Sequence, residues 1–349
     1  MRGAWRSHVA AAGAAVLLFA LAVSAPARAG QQPADIVVMT NGDRLTGEIK
    51  SLSQGKLSFD EDATGIVSIK WDRVAEVTSR RLFEVETSAG DRLLGTLGPA
   101  GPARVVVEGE TGRFELDLLS VVGLAPISNS FVRRLDGSIS VGGSYTQSSG
   151  VAQLSAAFSI TARWPAFEWR ASVEDYITLK EADDTSERFS ADVGYSRYLW
   201  PNWAVLGWAQ VERNPDLGFE VRSTVGGGFE RTLLRTNRSS AVVGVGLAGA
   251  REHPVDGEAD TLLPAALFFR HSFFTYSTPK TSLDTKVAAF PILNQWGRWL
   301  LEADTSVSRE IFKNFSVALT FYESFDNRPP TVEADQNDLG TTLSVAFTF

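Results

Sequence analysis

The chain has 349 residues, a formal net charge of -8 and no cysteine. The absence of cysteine excludes disulfides, thiolate metal sites and lipid attachment through an N-terminal cysteine. The acidic balance argues against nucleic-acid binding, because neutralising phosphates requires clustered Lys and Arg.

Residues 1–29 have the pattern of a secretory signal peptide. A basic start precedes the unbroken apolar stretch Val9–Val23, and Ala27-Arg28-Ala29 then fits the small-x-small cleavage rule. The short apolar run and the cleavage site directly after it favour this interpretation over a buried helix or an uncleaved anchor. The mature chain is predicted to begin at Gly30, and the loss of three arginines lowers its charge from -8 to -11.

The rest of the chain contains no run of about 18 apolar residues, so it offers no candidate helical span. Only helices and closed barrels satisfy all their backbone groups in lipid. If the mature chain enters a membrane, it therefore does so as a β-barrel.

Residues 30–80 and 81–127 are predicted to be two copies of one small β-module. The motif Gly-Asp-Arg-Leu begins at Gly42 and again at Gly90, 48 residues on. Each copy alternates apolar and polar residues around a tight turn, at Asn41-Gly42 or Ala89-Gly90, which is a hairpin signal. The short strands of each copy predict an SH3-like or Sm-like barrel, as two modules or as one two-lobed domain. Sm-like folds can bind RNA, but export and acidity argue against that here.

A linker is predicted at 128–135, and period-two alternation then continues from 136 to 349. Near the end of the chain Leu343, Val345 and Phe347 share one face, opposite Ser344 and Ala346. Such repeats match the lipid-facing and lumen-facing positions of a membrane barrel strand, although a soluble sandwich also alternates.

Twelve strands are predicted in this region, an even number as in bacterial outer-membrane barrels. The connections alternate between long polar loops, as at 180–187, 253–260 and 327–338, and short turns. The predicted strands are 136–146, 152–164, 167–178, 187–199, 202–212, 219–233, 240–251, 261–274, 281–291, 297–309, 314–325 and 338–349.

Aromatic residues cluster near both ends of these strands, as in the interfacial girdles of membrane barrels. Those at the short-turn ends are Trp164, Phe167, Trp169, Trp200, Trp203, Phe273, Phe274, Tyr276, Phe312, Phe315 and Phe349. Those at the loop ends are Tyr145, Tyr176, Trp296, Trp299, Tyr322 and Phe325.

The last strand ends on Phe349, with Phe347, Val345 and Leu343 at every second position before it. A terminal Phe on an alternating strand resembles the signal read by the barrel assembly machinery, so Phe347 and Phe349 are the candidate assembly signal. The whole pattern of signal peptide, Sm-like repeats and barrel resembles the salt-induced outer-membrane proteins. That resemblance implies an outer-membrane β-barrel of a family without settled function.

Charged residues of both signs fall on the predicted inward face, since such charges are costly on the lipid side. They either line a narrow aqueous channel or pair with one another and fill the interior, and the strand count does not decide between these. Acidic outer loops either hold divalent cations or form a solvated surface. The predicted lumen residues are Arg163, Glu168, Arg170, Glu174, Asp192, Glu212, Glu220, Arg222, Glu230, Asp284, Lys286, Glu302 and Asp304.

The sequence offers little sign of catalytic chemistry. The mature chain has two histidines, His253 in a predicted outer loop and His271 near the short-turn end of a strand. A serine or acid partner on an adjacent strand would be needed for catalysis, and nothing in the sequence places one. No metal-ligand spacing is present. We therefore predict no catalytic, metal or cofactor-binding residues.

The sequence predicts an all-β protein with a C-terminal transmembrane antiparallel β-barrel of about 12 strands, preceded by two small SH3/Sm-like repeats in the periplasm. The favoured function is non-enzymatic, as a narrow small-solute or ion pore or as an envelope-stability component. Expected partners are outer-membrane lipid and lipopolysaccharide, the barrel assembly machinery, and a periplasmic protein or the cell wall. The alternatives are a barrel enzyme acting on lipid or peptide, and a soluble periplasmic carbohydrate-binding β protein.

Overall fold

The computed structural model describes residues 35–61, 64–127, 135–146, 151–164, 166–180, 186–275, 279–312, 315–331 and 334–348. The predicted signal peptide, most of the predicted linker and Phe349 of the predicted assembly signal lie outside these residues. Among the described residues, no helix has the length and apolar character needed to cross a membrane. The fold is all-β, as predicted.

The N-terminal module, residues 35–127, is one sheet of nine strands in the part of the chain that is described. Its strand order is β4-β3-β2-β1-β5-β6-β7-β8, and β9 pairs with both β2 and β5. The strands β1, β2, β9 and β5 thereby close into a four-stranded barrel, and the other strands extend it on both sides. The strands are β1 (Asp35–Met39), β2 (Arg44–Ser53), β3 (Lys56–Glu61), β4 (Gly65–Lys70), β5 (Val74–Thr87), β6 (Arg92–Pro99), β7 (Arg104–Gly109), β8 (Gly112–Asp117) and β9 (Val121–Pro126).

The two sequence repeats share β5 and one hydrophobic core. The predicted boundary at 80/81 falls inside this strand, which ends the first repeat and begins the second. The core combines Phe59 and Trp71 of the first repeat with Phe83 and Val107 of the second. The indole nitrogen of Trp71 donates a hydrogen bond to the carbonyl of Leu118, 2.6 Å away. The repeats therefore form the two-lobed arrangement, with a common interior.

The C-terminal region is a closed antiparallel barrel of twelve strands, counted over the described ranges. The first and last strands pair with Ile139 opposite Phe347, which closes the ring. A three-residue strand, β17 (Asp260–Leu262), pairs with Ala250–Glu252 at the end of β16, beyond the segment of β16 that pairs with β18. The barrel strands are β10 (Leu135–Thr146), β11 (Val151–Arg163), β12 (Phe167–Lys180), β13 (Ser186–Trp200), β14 (Trp203–Asn214), β15 (Phe219–Arg235), β16 (Ser239–Pro254), β18 (Ala265–Phe274), β19 (Thr281–Pro291), β20 (Trp299–Phe312), β21 (Phe315–Asp326) and β22 (Asn337–Thr348).

The barrel has two unlike rims. At the short-turn rim, neighbouring strands are joined by tight connections such as Trp200–Trp203 and Arg235–Ser239. At the loop rim the connections are longer, and they include a 3-10 turn at Pro215–Leu217. The predicted strand count is confirmed, and the observed strand ends lie within a few residues of the predicted ones.

Candidate functional site

Polar side chains occupy the inside of the barrel, and apolar side chains cover its outside. On β15, Arg222 and Thr224 are buried, whereas Val225 and Phe229 are 67 % and 50 % exposed. Successive side chains of a strand point to opposite faces, so every strand contributes one row to each surface. The lumen is consequently the part of the barrel in which functional side chains can act together.

A polar chamber occupies the middle of the lumen. It consists of two adjoining cavities of about 540 Å³ and about 300 Å³. Glu174 on β12 and Lys286 on β19 both line it, so the chamber spans the barrel from wall to wall. Carboxylates outnumber cationic groups in its walls. The carboxylates are Glu174, Asp192, Glu212, Glu230, Asp284, Glu302 and Asp304, and the cations are Arg170, Arg188, Arg270 and Lys286.

One wall of the chamber is apolar. Trp208 on β14 lies against Gly226 and Gly246, and Phe268 on β18 lies against Gly244. A Cβ atom at any of these glycines would overlap an aromatic ring. Their absent side chains therefore let two large rings lie inside the barrel without filling it.

A buried layer of ion pairs crosses the lumen near the loop rim. Arg298 donates to Glu252 at 3.0 Å and to Asp326 at 2.6 Å, and Arg222 also donates to Glu252. Arg298 is 4 % exposed and Asp326 is fully buried. Buried charges of this kind must be paired, since removing one partner leaves the other uncompensated.

A second set of contacts crosses the lumen beside this layer. The hydroxyl of Tyr322 on β21 accepts a hydrogen bond from Gln153 on β11, and the guanidinium of Arg188 on β13 lies 4.8 Å from the Tyr322 ring. Asp338 on β22 accepts from Asn214 on β14 at 2.9 Å. A small pocket of about 10 Å³ lies among these side chains. Because side chains from opposite walls meet here, they form a constriction of the lumen at the loop rim.

The module lies under the short-turn rim and encloses a vestibule of about 640 Å³. The guanidinium of Arg92 lies 3.5 Å from the ring centroid of Tyr198, and Glu86 pairs with both Arg92 and Arg235. The Asn202 amide donates to the Ala89 carbonyl at 2.7 Å. The second Gly-Asp-Arg-Leu motif is thus one part of the module that meets the barrel, and Asn237 of the barrel also donates to the carbonyls of Leu119 and Val121.

Nearly all the residues predicted for the lumen line one of these cavities. These are Arg163, Glu168, Arg170, Glu174, Asp192, Glu212, Arg222, Glu230, Asp284, Lys286, Glu302 and Asp304. Glu220 is different, because its side chain is 48 % exposed at the loop rim and pairs with Arg213. A bulge between Phe219 and Val221 shifts the alternation there, and Phe219 is buried instead.

Sequence reasoning missed three of the four charges in the buried layer. Glu252, Arg298 and Asp326 lie at or beyond the ends of the predicted strands, where side-chain direction cannot be read from period two. The sequence pattern places Tyr176 and Tyr322 in the aromatic girdle at the loop ends of the strands. Their rings instead lie inside the barrel, with their centroids 5.2 Å apart. Gln153 and Arg188, their polar neighbours, occupy inward-facing positions of their own strands. The sequence signal that could have placed the two tyrosines inside is therefore the alternation of polar residues on these inward positions.

The two histidines have different surroundings. His253 is exposed at the end of β16. His271 lies in the outward row of β18, with its ring parallel to that of Phe269, and its Nε2 is 2.9 Å from the hydroxyl of Ser239. The structure therefore supplies a serine neighbour for His271 that the sequence alone does not identify. Within the ranges described, no group of His, Cys, Asp and Glu could hold a metal ion.

Comparisons with known proteins give the following relatives. The sequence model of a family described as "Protein of unknown function, DUF481" matches residues 140–349. No curated protein matches the chain. A NanC porin structure is 11 % identical, covering 60 % of this chain and 100 % of that chain, with a TM-score of 0.42. The β domain of the Bordetella autotransporter BrkA is 9 % identical, covering 62 % and 98 %, with a TM-score of 0.31. A porin refined at 1.8 Å is 12 % identical, covering 90 % and 98 %, with a TM-score of 0.29.

Proposed function

The chain belongs to the family of unknown function DUF481, and we propose that it is a non-enzymatic outer-membrane barrel that forms a narrow, cation-preferring pore for small solutes. The single observation that carries the proposal is the carboxylate-rich chamber that spans the barrel. The proposal places the short-turn rim and the module in the periplasm and the loop rim outside the cell.

The outer surface of the barrel supports a membrane location. Residues such as Val225, Leu247 and Leu339 are more than half exposed in the free chain, and contact with acyl chains would remove this apolar area from water. Short periplasmic turns and longer outer loops are the usual arrangement of outer-membrane barrels. The module adjoins the short-turn rim, which supports a periplasmic position for it.

The chamber supports cation preference. A cleft lined mainly by one sign of charge raises the local concentration of ions of the other sign. Rings of Asp and Glu select cations in channels by this means. The side-chain contacts that cross the lumen at the loop rim support low conductance.

The proposal is tested by planar-bilayer recording under a KCl gradient. We expect small single-channel steps and a reversal potential on the cation-selective side. Asp192→Asn with Asp304→Asn should move the reversal potential toward zero, while Glu115→Gln, an exposed carboxylate of the module, should leave it unchanged. Tyr322→Ala should enlarge the steps, since it removes a ring that crosses the constriction. A folded barrel without steps, in wild type and in Tyr322→Ala, would exclude the pore and leave the envelope-stability role.

One observation favours a second candidate, a lipid hydrolase on the outside of the barrel. Ser239 and His271 are at hydrogen-bond distance on the outer face, and a histidine so placed can take the proton of an attacking serine. In the described residues no carboxylate bonds the other ring nitrogen of His271, which makes this the weaker candidate. Ester hydrolysis that is lost in Ser239→Ala and His271→Ala, but kept in His253→Ala, would support it.

A further inference from the structure

A cleft of about 510 Å³ lies between the module and the short-turn rim of the barrel. On one side it is lined by the outer face of β2, β3 and β4. On the other side it is lined by Lys280 in the turn before β19 and by the end of β20 from Glu310 to Phe312. Unlike the vestibule, this cleft is lined by exposed apolar residues of the rim, Ile311 and Phe312.

The module side of the cleft combines hydroxyl and ammonium groups with the apolar Ile66 and Val67. The strand register places Ser51 opposite Ser58, and Ser58 opposite Ser68. Next to this row of three hydroxyls, Lys56 lies between Ser53 and Lys70 in the corresponding cross-strand row. Hydroxyls and ammonium groups are donors to anionic oxygens, so this face is suited to an anion.

The charges of the cleft are not balanced by the described residues. Lys280 pairs with Glu310 at 3.1 Å, whereas no ion pair of Lys56 is present in the described part of the chain. Burial and, next, repulsion from Lys280 lower the pKa of Lys56 to about 8, against the attraction of Glu310. An additional anion in the cleft would stabilise both ammonium groups.

The rim side of the cleft is apolar and exposed. Phe312 is 72 % exposed and Ile311 is 54 % exposed, and Ile66 of the module faces them across the cleft. Phe312 pairs with Phe315 across the adjacent turn, so it belongs to the aromatic band of the short-turn rim. Such bands lie at the level of the lipid headgroups. A ligand of this cleft therefore has an anionic part against the module and an apolar part along the barrel.

We propose that this cleft binds the phosphate headgroup of an anionic phospholipid from the periplasmic leaflet, with Lys56 and Lys280 as its cationic contacts and Ile311 and Phe312 along its acyl chains. The inference rests on the proposed membrane placement of the barrel but not on its conducting ions. It gives the module a role, because a lipid held between the two regions joins the module to the membrane surface.

Native mass spectrometry of the delipidated full chain tests the proposal. Phosphatidylglycerol and phosphatidylcholine with identical acyl chains are added separately. We expect one phosphatidylglycerol to be retained in preference to phosphatidylcholine. Each of Lys56→Gln and Lys280→Gln should weaken retention about fivefold, the usual effect of one basic residue at an anionic membrane surface. Lys50→Gln is the matched control, since Lys50 is a module lysine paired with Glu48 and Asp60 and does not line the cleft.

Soluble anions separate a lipid site from a free phosphate site. Phe312→Ser should weaken retention of phosphatidylglycerol without changing the binding of glycerol phosphate. Equal retention of the two lipids, or unchanged retention in both lysine variants, would overturn the proposal. Displacement of the lipid by millimolar inorganic phosphate would also overturn it and indicate a phosphate site instead. A barrel that conducts no ions but retains phosphatidylglycerol would refute only the pore.

Discussion

The module and the barrel are built from the same alternating strands but differ in where most of their apolar side chains lie. The module places Phe59, Trp71 and Phe83 in a dry core and leaves charges such as Glu115 in solvent. The barrel buries Arg298 and Asp326 and exposes Val225. One period-two pattern thus supports both a unit with an apolar core and a barrel with polar side chains inside and apolar side chains outside.

The difference shows that alternation identifies strands but does not show whether a given face contacts water, lipid or a protein core. Two other features distinguish the regions. The polar positions of the barrel carry charges of both signs in long inward rows, and its apolar rows end in exposed aromatics such as Trp200 and Phe312. Rows of this kind are expected where lipid covers the outside and the interior is enclosed.

The largest expected effect is a break in the module core. Phe59→Ala should cost about 3–5 kcal/mol, because it removes a fully buried ring and leaves a cavity. Phe229→Ala on the outside of the barrel should cost about 1–2 kcal/mol, since lipid tails fill the vacated space. Limited proteolysis of the module and heat-modifiable mobility of the barrel measure the two regions separately.

Phe59→Ala should expose the module to protease while the barrel keeps its heat-modifiable mobility. Loss of both signals together would mean that the regions fold as one cooperative unit. A larger cost for Phe229→Ala than for Phe59→Ala would reverse the comparison.

A charge on the outer surface should have the next largest effect. Val225→Arg, near the middle of β15, should cost about 2–4 kcal/mol, as expected for a cation facing the bilayer core. The matched change Leu82→Arg on the exposed surface of the module should stay within about 0.5 kcal/mol. Urea unfolding in phosphatidylcholine vesicles gives both values. A negligible cost for Val225→Arg would mean that this face does not contact lipid.

The strands were easier to predict than the site. The predicted strand 281–291 coincides with β19, because long alternating segments between turn residues define their own limits. Glu220 was misplaced, since a one-residue bulge changes the direction of its side chain. The pairing of Ser239 with His271 and of Arg92 with Tyr198 joins residues far apart in the chain, so no local pattern reveals either pair.

The two copies of the Gly-Asp-Arg-Leu motif sharpen the comparison at the junction of the regions. Gly42 and Gly90 have φ angles of +92° and +91°, so alanine at either position should cost about 1–2 kcal/mol of backbone strain. A Cβ at Gly90 would also overlap Asn202 of the barrel, whereas a Cβ at Gly42 meets nothing within 4 Å. Gly90→Ala alone should therefore loosen the module from the rim.

Hydrogen–deuterium exchange in the turn before β6 measures that loosening. We expect faster exchange there in Gly90→Ala than in Gly42→Ala, with equal exchange in the core strand β3. Identical profiles for the two variants would show that the module does not dock through its second repeat.

The smallest expected effect is a pH dependence of docking through Lys56. In the docked, delipidated protein, to which this prediction applies, burial and next the repulsion from Lys280 lower its pKa from the ordinary 10.5 to about 8. Undocking removes both causes, so between about pH 8 and 10.5 the undocked form binds more protons and rising pH favours the docked form. Below pH 8 both forms are protonated, and docking should not change with pH.

The hydrogen–deuterium exchange rate of the turn before β6 should therefore fall between pH 8 and 10, after correction for intrinsic exchange. Lys56→Gln should abolish that fall, while Lys50→Gln should retain it. An equal fall in Lys56→Gln would assign the pH dependence to another group.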